Sequence, residues 1–280
     1  MATKYNITKQ QSNLLYTTMK YLNDILLKND IGYWVTGGSL IGAIRHRGIV
    51  PWDDDGDICI MIKDVSKLRK LIPKFKKDGY NLEEGTTDQD DDTKAMECTT
   101  KHNSCTWFLE STKPHSLGVD IFVMERIGPL ITYADPYWRS ASNGGKKCYF
   151  LYNMVFPLVP VRFGNFWIMT PFNAVEHLNQ CYGVDWNSVS QRLFDHREGK
   201  WIDSKKIRME PGDYETIPPP LSTCELKPPS MSKCTNRKGS NLHVDKLLNG
   251  EIKILAKLYK IKGRSHMSID NLRKSIKNNI

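Results

Sequence analysis

In the first eighty positions, segments in which apolar residues recur with the periodicity of a helix alternate with segments that have the pattern of a strand. Residues 8–29 are predicted to form a helix capped by Thr8, because Leu15, Met19 and Leu22 recur at intervals of three or four. The elements predicted to follow are a strand at 32–36, a tight turn at 37–39, a short helix that starts at Leu40 and ends before Gly48, a strand at 58–62 and an amphipathic helix at 65–77.

The pattern of the next hundred residues favours strands. Strands are predicted near 94–100, 105–110 and 117–124, and strand character returns around Val161 to Met169. The acidic run Asp88 to Asp92 is predicted to be a solvated loop. A helix is predicted from Asn173 to Tyr182, ending at Gly183. Helices interspersed with strands in this order predict an α/β or mixed α+β sheet with helices packed against it.

The composition changes near residue 199. Six of the 14 prolines lie between Pro211 and Pro229, which predicts an extended or irregular segment. After it, Val244, Leu248, Leu255 and Ile261 are among the residues that mark one face of a basic helix. We therefore predict a catalytic domain at 1–199 and a Pro-rich linker with a basic helical tail at 200–280. The tail helix either docks on the main domain or meets an anionic surface.

The charge distribution limits the classes of partner. Residues 1–199 hold equal numbers of basic and acidic side chains, and the net charge of +9 lies entirely in residues 200–280. A neutral main domain argues against a nucleic-acid groove, and we expect no stable nucleic-acid partner. The seven scattered cysteines lack close zinc-ligand spacing. Without an apolar leader or a spanning run, the chain is expected to be soluble and cytoplasmic.

The most informative segment is an aspartate cluster, Asp53-Asp54-Asp55-Gly56-Asp57, that leads into an apolar strand. Carboxylates this close repel one another, so they destabilise the fold unless a counter-charge is present. If the segment is extended, alternation places Asp53, Asp55 and Asp57 on one side and Asp54 on the other. Hard oxygen ligands of this kind suit Mg²⁺ or Mn²⁺, which bind one or two carboxylates together with substrate phosphates.

A glycine turn precedes the cluster by fewer than twenty residues. Gly37 and Gly38 follow a predicted strand, and glycine permits close approach of the backbone to a ligand. Ser39 and the start of the next helix offer donors to phosphate oxygens. Gly-Gly-Ser alone is ordinary turn sequence. Paired with an acidic strand, it predicts a site for a metal-bound diphosphate.

The segment Gly37 to Asp57 resembles the LicD/fukutin family of nucleotidyltransferase-fold proteins, which includes fukutin-related protein. The family pattern is close to G-[ST]-L-[LI]-G-x-x-R-[HE]-x-G-[FI]-I-P-W-D-D-D-x-D, and this chain departs from it only at Val50. The segment Gly118 to Phe122 is similar to the family's hydrophobic-D-I-F strand, although Val123 replaces the usual Pro. The segment Pro171 to Trp186 is similar to the family's C-terminal motif. The resemblance covers roughly residues 14 to 200 and implies a nucleotidyltransferase-type mixed sheet flanked by helices.

The resemblance also implies roles for individual residues. Asp55 and Asp57 correspond to the metal pair, Asp120 to a third metal carboxylate, and Asp53 to a ligand or orienting group. Arg45 either binds a phosphate or holds the carboxylates, while His46 is either a substrate contact or structural. By the same resemblance the catalytic residues are Asp53, Asp55, Asp57 and Asp120. The substrate-binding residues are Gly37, Gly38, Ser39, Arg45 and His46. Tyr182 and Trp186 are assigned to the core.

The family transfers a phospho-alcohol from a cytidine diphosphate (CDP) donor, with choline, ribitol or glycerol as the alcohol, to a glycan hydroxyl. The resemblance therefore predicts a Mg²⁺- or Mn²⁺-dependent transferase with a CDP-linked donor and a glycan acceptor. Two alternatives remain. One is a glycosyltransferase that uses a nucleotide sugar on an Asp-x-Asp metal site. The other is a non-catalytic binding protein that acts through its basic tail.

Overall fold

A computed structural model describes most of the chain. The described residues are 7–85, 106–135, 138–139, 149–191, 194–195, 200–201, 205–217, 219, 252–253, 256, 261–262 and 264–277. The loop predicted at Asp88 to Asp92, the strand predicted at 94–100, and most of both the Pro-rich stretch and the predicted tail helix lie outside these residues.

The first helix and strand confirm the predictions. Helix α1 is Lys9–Lys28, and Thr8 caps it by accepting a hydrogen bond from the Gln11 backbone N–H at 3.2 Å. The Gln11 side chain accepts from the Thr8 backbone N–H in return, which completes a capping box. Strand β1 is Tyr33–Val35 and is buried throughout.

Two local predictions are wrong. Gly37 to Ser39 is not a free turn, because helix α2, Gly37–Ile41, starts there and continues as a π-helical turn over Gly42–His46. The helix predicted at 65–77 is divided into α3, Val65–Lys70, and α4, Ile72–Lys77. Pro73 explains this division, since proline has no N–H to donate and disfavours helical geometry in the residue before it.

A seven-stranded mixed sheet forms the centre of the molecule. Its remaining strands are β2 (Gly56–Met61), β3 (Tyr80–Gly85), β4 (Thr106–Ser111), β5 (Val119–Ile127), β6 (Leu130–Tyr133) and β7 (Tyr149–Leu151). The order is β1-β2-β5-β4-β3, with β6 beside β5 and β7 beside β6. Strands β2 and β5 are parallel, and the other pairs are antiparallel. The predicted mixed sheet is confirmed, whereas β3, β6 and β7 were not predicted.

The segment after the sheet supports one side of the site. The strand character predicted around residues 161–169 belongs to a hairpin of β8 (Val159–Phe163) and β9 (Phe166–Thr170), since Gly164 turns the chain with a φ of +59°. The short helix α5, Tyr152–Val155, precedes this hairpin, and helix α6, Ala174–Tyr182, follows it. Asn173, predicted as the first residue of this helix, is its cap and accepts a hydrogen bond from the Glu176 N–H. Short pairs join β10 (Val189–Ser190) to β13 (Ile207–Arg208) and β11 (Phe194–Asp195) to β12 (Lys200–Trp201).

The hydrophobic core lies between α1 and one face of the sheet. Trp107, Leu109 and Ile121 are fully buried there, with Leu15 and Leu22 of α1 in the same cluster. Burial of such side chains contributes about 1.5–3 kcal/mol each relative to exposure. Period-2 alternation directs the neighbouring residues of these strands to the opposite face. The site is built on that face.

The C-terminal segment packs on the far end of the sheet where it is described. Ile252, Ala256 and Leu272 are buried in one cluster with Ile127 and Leu130. These contacts favour the docked interpretation of the tail for its described residues. A helix that was not predicted, α7 (Ile269–Lys277), belongs to this segment. Within the described ranges, the helices fall short of the length and apolar character needed to cross a bilayer.

Candidate active site

Three aspartates converge where the chain enters β2. The structure brings together the carboxylates of Asp53, Asp55 and Asp57, whose oxygens lie within 4.8 Å of one another. Asp54 is outside this group, in agreement with the predicted alternation. Backbone bonds fix the segment, because the Thr36 N–H donates to the Asp57 carbonyl at 3.1 Å and the Asp57 N–H donates to the Ser39 hydroxyl at 3.0 Å.

Asp120 faces this group from the neighbouring strand. It is the parallel-register partner of Asp57, so the two side chains lie side by side on one face of the sheet. Asp120 does not belong to the group of three whose oxygens lie within 4.8 Å. Burial, together with the negative charges of Asp55, Asp53 and Asp120, raises the pKa of Asp57 well above its ordinary value. The site therefore concentrates negative charge that a cation would compensate.

Gly37 and Gly38 leave room for the carboxylates. A Cβ on Gly37 would lie 2.4 Å from Asp57 Oδ2, and one on Gly38 would lie 2.1 Å from Asp53 Oδ2. Gly37 also has a φ of +53°, which favours glycine. The close approach that the sequence indicated is thus an approach of aspartate side chains to backbone. Ser39 joins the same contact, since its backbone N–H lies 3.4 Å from Asp57 Oδ2.

Arg45 is engaged with the chain itself. Its guanidinium donates to the carbonyls of Trp186 and Val189 at 2.8 and 3.0 Å, and it lies 5.7 Å from the centre of the Trp52 ring. Burial lowers the pKa of Arg45 to about 10, while the charge of Asp53 is among the effects that oppose this shift. Of the two predicted roles, these contacts favour holding the aspartate segment over binding a phosphate.

His46 is also packed into the structure. It is 5% exposed, its ring meets Trp52 edge-on, and its Nε2 lies 3.0 Å from the carbonyl of Asp213. Arg45 Nε donates to its Nδ1, so the neutral tautomer donates through Nε2. Burial, reinforced by the charge of Arg45, lowers the pKa of His46 to about 4. These contacts favour the structural role of the two that the sequence left open.

A segment beyond residue 200 fastens the chain that leads to the aspartates. The Ile49 N–H donates to the Tyr16 hydroxyl at 3.0 Å, and this hydroxyl donates to the carbonyl of Ile217 at 3.0 Å. The Thr216 hydroxyl donates to the Ile49 carbonyl at 2.8 Å. We call residues 213–217 the strap. Sequence reasoning missed it, because its partners lie about 170 to 200 positions away and no local pattern marks them.

Helix α6 contributes the partly buried Tyr182 and the buried His177 behind the site. Burial raises the pKa of Tyr182 well above its ordinary value, as do the thiol of Cys181 and the carboxylates of the aspartate group. Tyr182, which the sequence assigned to the core, thus lies within electrostatic range of the site. His177 is 1% exposed, stacks on Phe150 and lies 3.5 Å from Thr36 Oγ1. Burial lowers the pKa of His177 to about 3.

Comparison with protein families gives one match over half of the chain. The family model described as LicD/FKTN/FKRP, nucleotidyltransferase domain, matches residues 30–173. This range contains the whole aspartate group, Asp120 and both site glycines. It does not contain the strap.

Individual relatives agree with this match. An uncharacterized protein of Rickettsia typhi is 31% identical over 187 residues, which are 67% of this chain and 51% of that protein. The human ribitol 5-phosphate transferase FKRP is 42% identical over 57 residues, or 20% of this chain and 12% of the relative. The lipopolysaccharide cholinephosphotransferase LicD of Haemophilus influenzae is 31% identical over 75 residues, or 27% of this chain and 28% of the relative. The chain therefore matches about half of the first relative and much less of the two named transferases.

Among solved structures, the lincomycin-bound lincosamide antibiotic adenylyltransferase LnuA matches 59% of this chain and 81% of its own, with 16% identity and a TM-score of 0.32. This likeness is remote. The fold assignment rests on the strand order and the family match.

Proposed function

The chain belongs to the LicD/FKTN/FKRP nucleotidyltransferase-domain family, and we propose that it is a metal-dependent transferase. In this proposal it moves a phospho-alcohol group, such as phosphocholine or ribitol phosphate, from a CDP-linked donor to a glycan hydroxyl. The convergence of Asp53, Asp55 and Asp57 at the start of β2 carries the proposal. The named transferases of human and H. influenzae support the class of reaction, because each moves a phosphate bearing a small alcohol.

The residues present fit a divalent cation. The three candidate ligands are carboxylates, which Mg²⁺ and Mn²⁺ prefer. Their oxygens lie within 4.8 Å of one another. The raised pKa of Asp57 reflects its burial first and then the like charges held close to it. We infer that Asp53, Asp55 and Asp57 hold the cation. Asp120, which the resemblance assigned to the metal, lies outside this group of three.

In this proposal the residues of the site have different roles in phosphoryl transfer. A bound Mg²⁺ or Mn²⁺ would supply neutralisation of the donor diphosphate and of the leaving phosphate. In this proposal a carboxylate, Asp120 or Asp53, would accept the proton from the acceptor hydroxyl, and the pairing of Asp120 with Asp57 on the neighbouring strand supports Asp120. The Ser39 hydroxyl accepts a hydrogen bond from the Asp57 N–H, and the Thr36 N–H donates to the Asp57 carbonyl, so these two groups hold the backbone at Asp57. Arg45 and His46 keep Trp52 and the aspartate segment in position.

Ligand-dependent thermal stabilisation tests this proposal. The purified chain is titrated with CDP, CMP, UDP and GDP, each with and without Mg²⁺ or Mn²⁺. A ligand at one hundred times its Kd adds about 2.7 kcal/mol to the unfolding free energy. We expect metal-dependent stabilisation by the cytidine nucleotides and its loss in Asp57→Asn. Preference for UDP or GDP would contradict the CDP-linked donor, and an Asp57→Asn variant with unchanged metal dependence would contradict the metal site.

A further inference from the structure

One row of side chains crosses three adjacent strands at the level of the site. Asp57 on β2 is paired with Asp120 on β5, and Asp120 is paired with Phe108 on β4. Residues directly opposite each other on neighbouring strands direct their side chains to the same face. Strands are spaced by about 4.8 Å, so the backbone of Phe108 lies about 5 Å from that of Asp120 and about 10 Å from that of Asp57. The aspartate site thus has an aromatic residue in the same row of the sheet.

Phe108 is exposed although the residues on either side of it are not. The side chain is 36% exposed, whereas Trp107 and Leu109 are fully buried on the opposite face. Exposure of a single apolar side chain is common in proteins and needs no explanation by itself. The position of this ring is more specific, because its strand register places it next to Asp120 on the face of the sheet that also carries Asp57.

Gly118 brings the ring toward the aspartates. A Cβ on Gly118 would lie 2.0 Å from Phe108 Cζ, so the ring occupies the space that any other residue at 118 would fill. Gly118 is itself bonded to the aspartate segment, since its carbonyl accepts from the N–H of Gly56 at 2.9 Å. Gly56 lies between Asp55 and Asp57. The ring therefore lies over the start of β5, the strand next to the segment that carries two of the three proposed metal ligands.

We propose that Phe108 is the surface on which the base of the nucleotide donor stacks. This inference rests on the proposed function, because it assumes that the diphosphate binds at the aspartate group. In a nucleoside diphosphate the ribose separates the base from the phosphates, so the base falls beside the carboxylates, where the row places Phe108. Aromatic stacking tolerates every base, since each has a π-face. Phe108 accordingly adds affinity for the nucleoside without selecting cytosine.

Calorimetric titration of the full chain with two probes isolates this contact. CDP carries a base and pyrophosphate does not, and both are titrated in the presence of Mg²⁺. In Phe108→Ala we expect the Kd for CDP to rise about 5- to 100-fold, the range given by loss of one stacked base, and the Kd for pyrophosphate to stay unchanged. UDP is expected to weaken by the same factor as CDP. Phe172→Ala is the matched control, because Phe172 is 58% exposed and lies ahead of α6, at the end opposite Tyr182.

Two further variants separate the position of the ring from its presence. Gly118→Ala keeps Phe108 but fills the space under its ring, so we expect weaker CDP binding with pyrophosphate binding retained. Phe108→Trp keeps an aromatic face and is expected to keep CDP binding. An unchanged Kd for CDP in Phe108→Ala would overturn the inference, as would equal weakening of both probes.

An exposed aromatic ring can also bind a sugar, so Phe108 could contact the acceptor in place of the donor base. Turnover with a CDP-alcohol and a glycan acceptor distinguishes these two ligands. We expect Phe108→Ala to raise the KM for the donor. A raised KM for the acceptor alone would overturn the inference in favour of the sugar. If the unmodified chain binds pyrophosphate and no nucleotide, the proposed donor and this inference fail together. If the unmodified chain and the Phe108→Ala variant bind CDP with the same Kd, only the inference about Phe108 fails.

Discussion

Gly38→Ala tests whether the glycines serve the aspartate group. A methyl group at position 38 would lie 2.1 Å from Asp53 Oδ2, so the carboxylate of Asp53 must turn away from its two partners. The backbone at 38 is helical, and alanine is favoured over glycine in a helix by about 1 kcal/mol. We therefore expect the unfolding free energy without ligand to change by no more than about 1 kcal/mol. The effect of the substitution falls on ligand binding.

The expected loss follows from the ligand count. With Asp53 displaced, two of three carboxylates remain, and we expect Mg²⁺-dependent binding of CDP to weaken about tenfold or more. At a CDP concentration that stabilises the unmodified chain by about 2.7 kcal/mol, a tenfold weaker complex gives about 1.4 kcal/mol. In a chain of this size, that difference lowers the ligand-induced rise in Tm by about 3–5 °C. Differential scanning fluorimetry with and without Mg²⁺ measures this shift.

Gly42→Ala provides the contrast. A Cβ there would lie 2.4 Å from the backbone carbonyl oxygen of Gly48, which cannot turn away as a side chain does. We expect this variant to lose about 1–3 kcal/mol of stability without ligand, the usual cost of overpacking. The reasoning is refuted if Gly38→Ala retains the full Mg²⁺-dependent shift with CDP, or if its main effect is loss of stability without ligand.

Two further predictions concern stability. Thr216→Val removes the hydrogen bond from the strap to the Ile49 carbonyl. We expect the free energy of unfolding, measured in urea, to fall by about 1 kcal/mol. An unchanged midpoint and slope would show that the strap does not stabilise this segment. His177 is buried with a pKa lowered to about 3, so the unfolded state binds its proton first as the pH falls below about 6.5. Stability is therefore lost as the pH falls from about 6.5 toward 3, by up to about 1.4 kcal/mol per pH unit, and the variant His177→Leu should lack this component in urea unfolding at pH 5 and 7. Parallel pH profiles for the two proteins would contradict this assignment.

The sequence was sufficient to predict which carboxylates come together. The acidic run before an apolar strand predicted the convergence of Asp53 and Asp57, because strand alternation and like-charge repulsion are local properties. The mixed sheet was also predicted. Helix α1 was predicted to within one residue at each end, because its cap and its apolar face depend only on residues close together in the sequence.

The features that the sequence did not predict depend on distant contacts. Gly37 begins a helix and not a turn, because the Leu40 N–H donates to the Thr36 carbonyl and Asp57 approaches from another strand. The inward engagement of Arg45 depends on carbonyls of residues 186 and 189. Phe108 became a site residue only when the pairing of β4 with β5 placed it opposite Asp120. Pairing register of this kind is set by the whole sheet and not by either strand alone.

Product analysis tests the central claim most directly. The full chain is incubated with Mg²⁺, a CDP-alcohol such as CDP-ribitol or CDP-choline, and a glycan acceptor, and the acceptor is examined by mass spectrometry. We predict that the acceptor gains the mass of the phospho-alcohol and that CMP is released. We also predict loss of this product in Asp57→Asn and its retention in the matched variant Asp54→Asn, because Asp54 lies outside the group of three. Full turnover by a folded Asp57→Asn variant would contradict this function. So would an acceptor that gains nothing from the CDP-alcohols but gains a sugar in a parallel incubation with a nucleotide sugar.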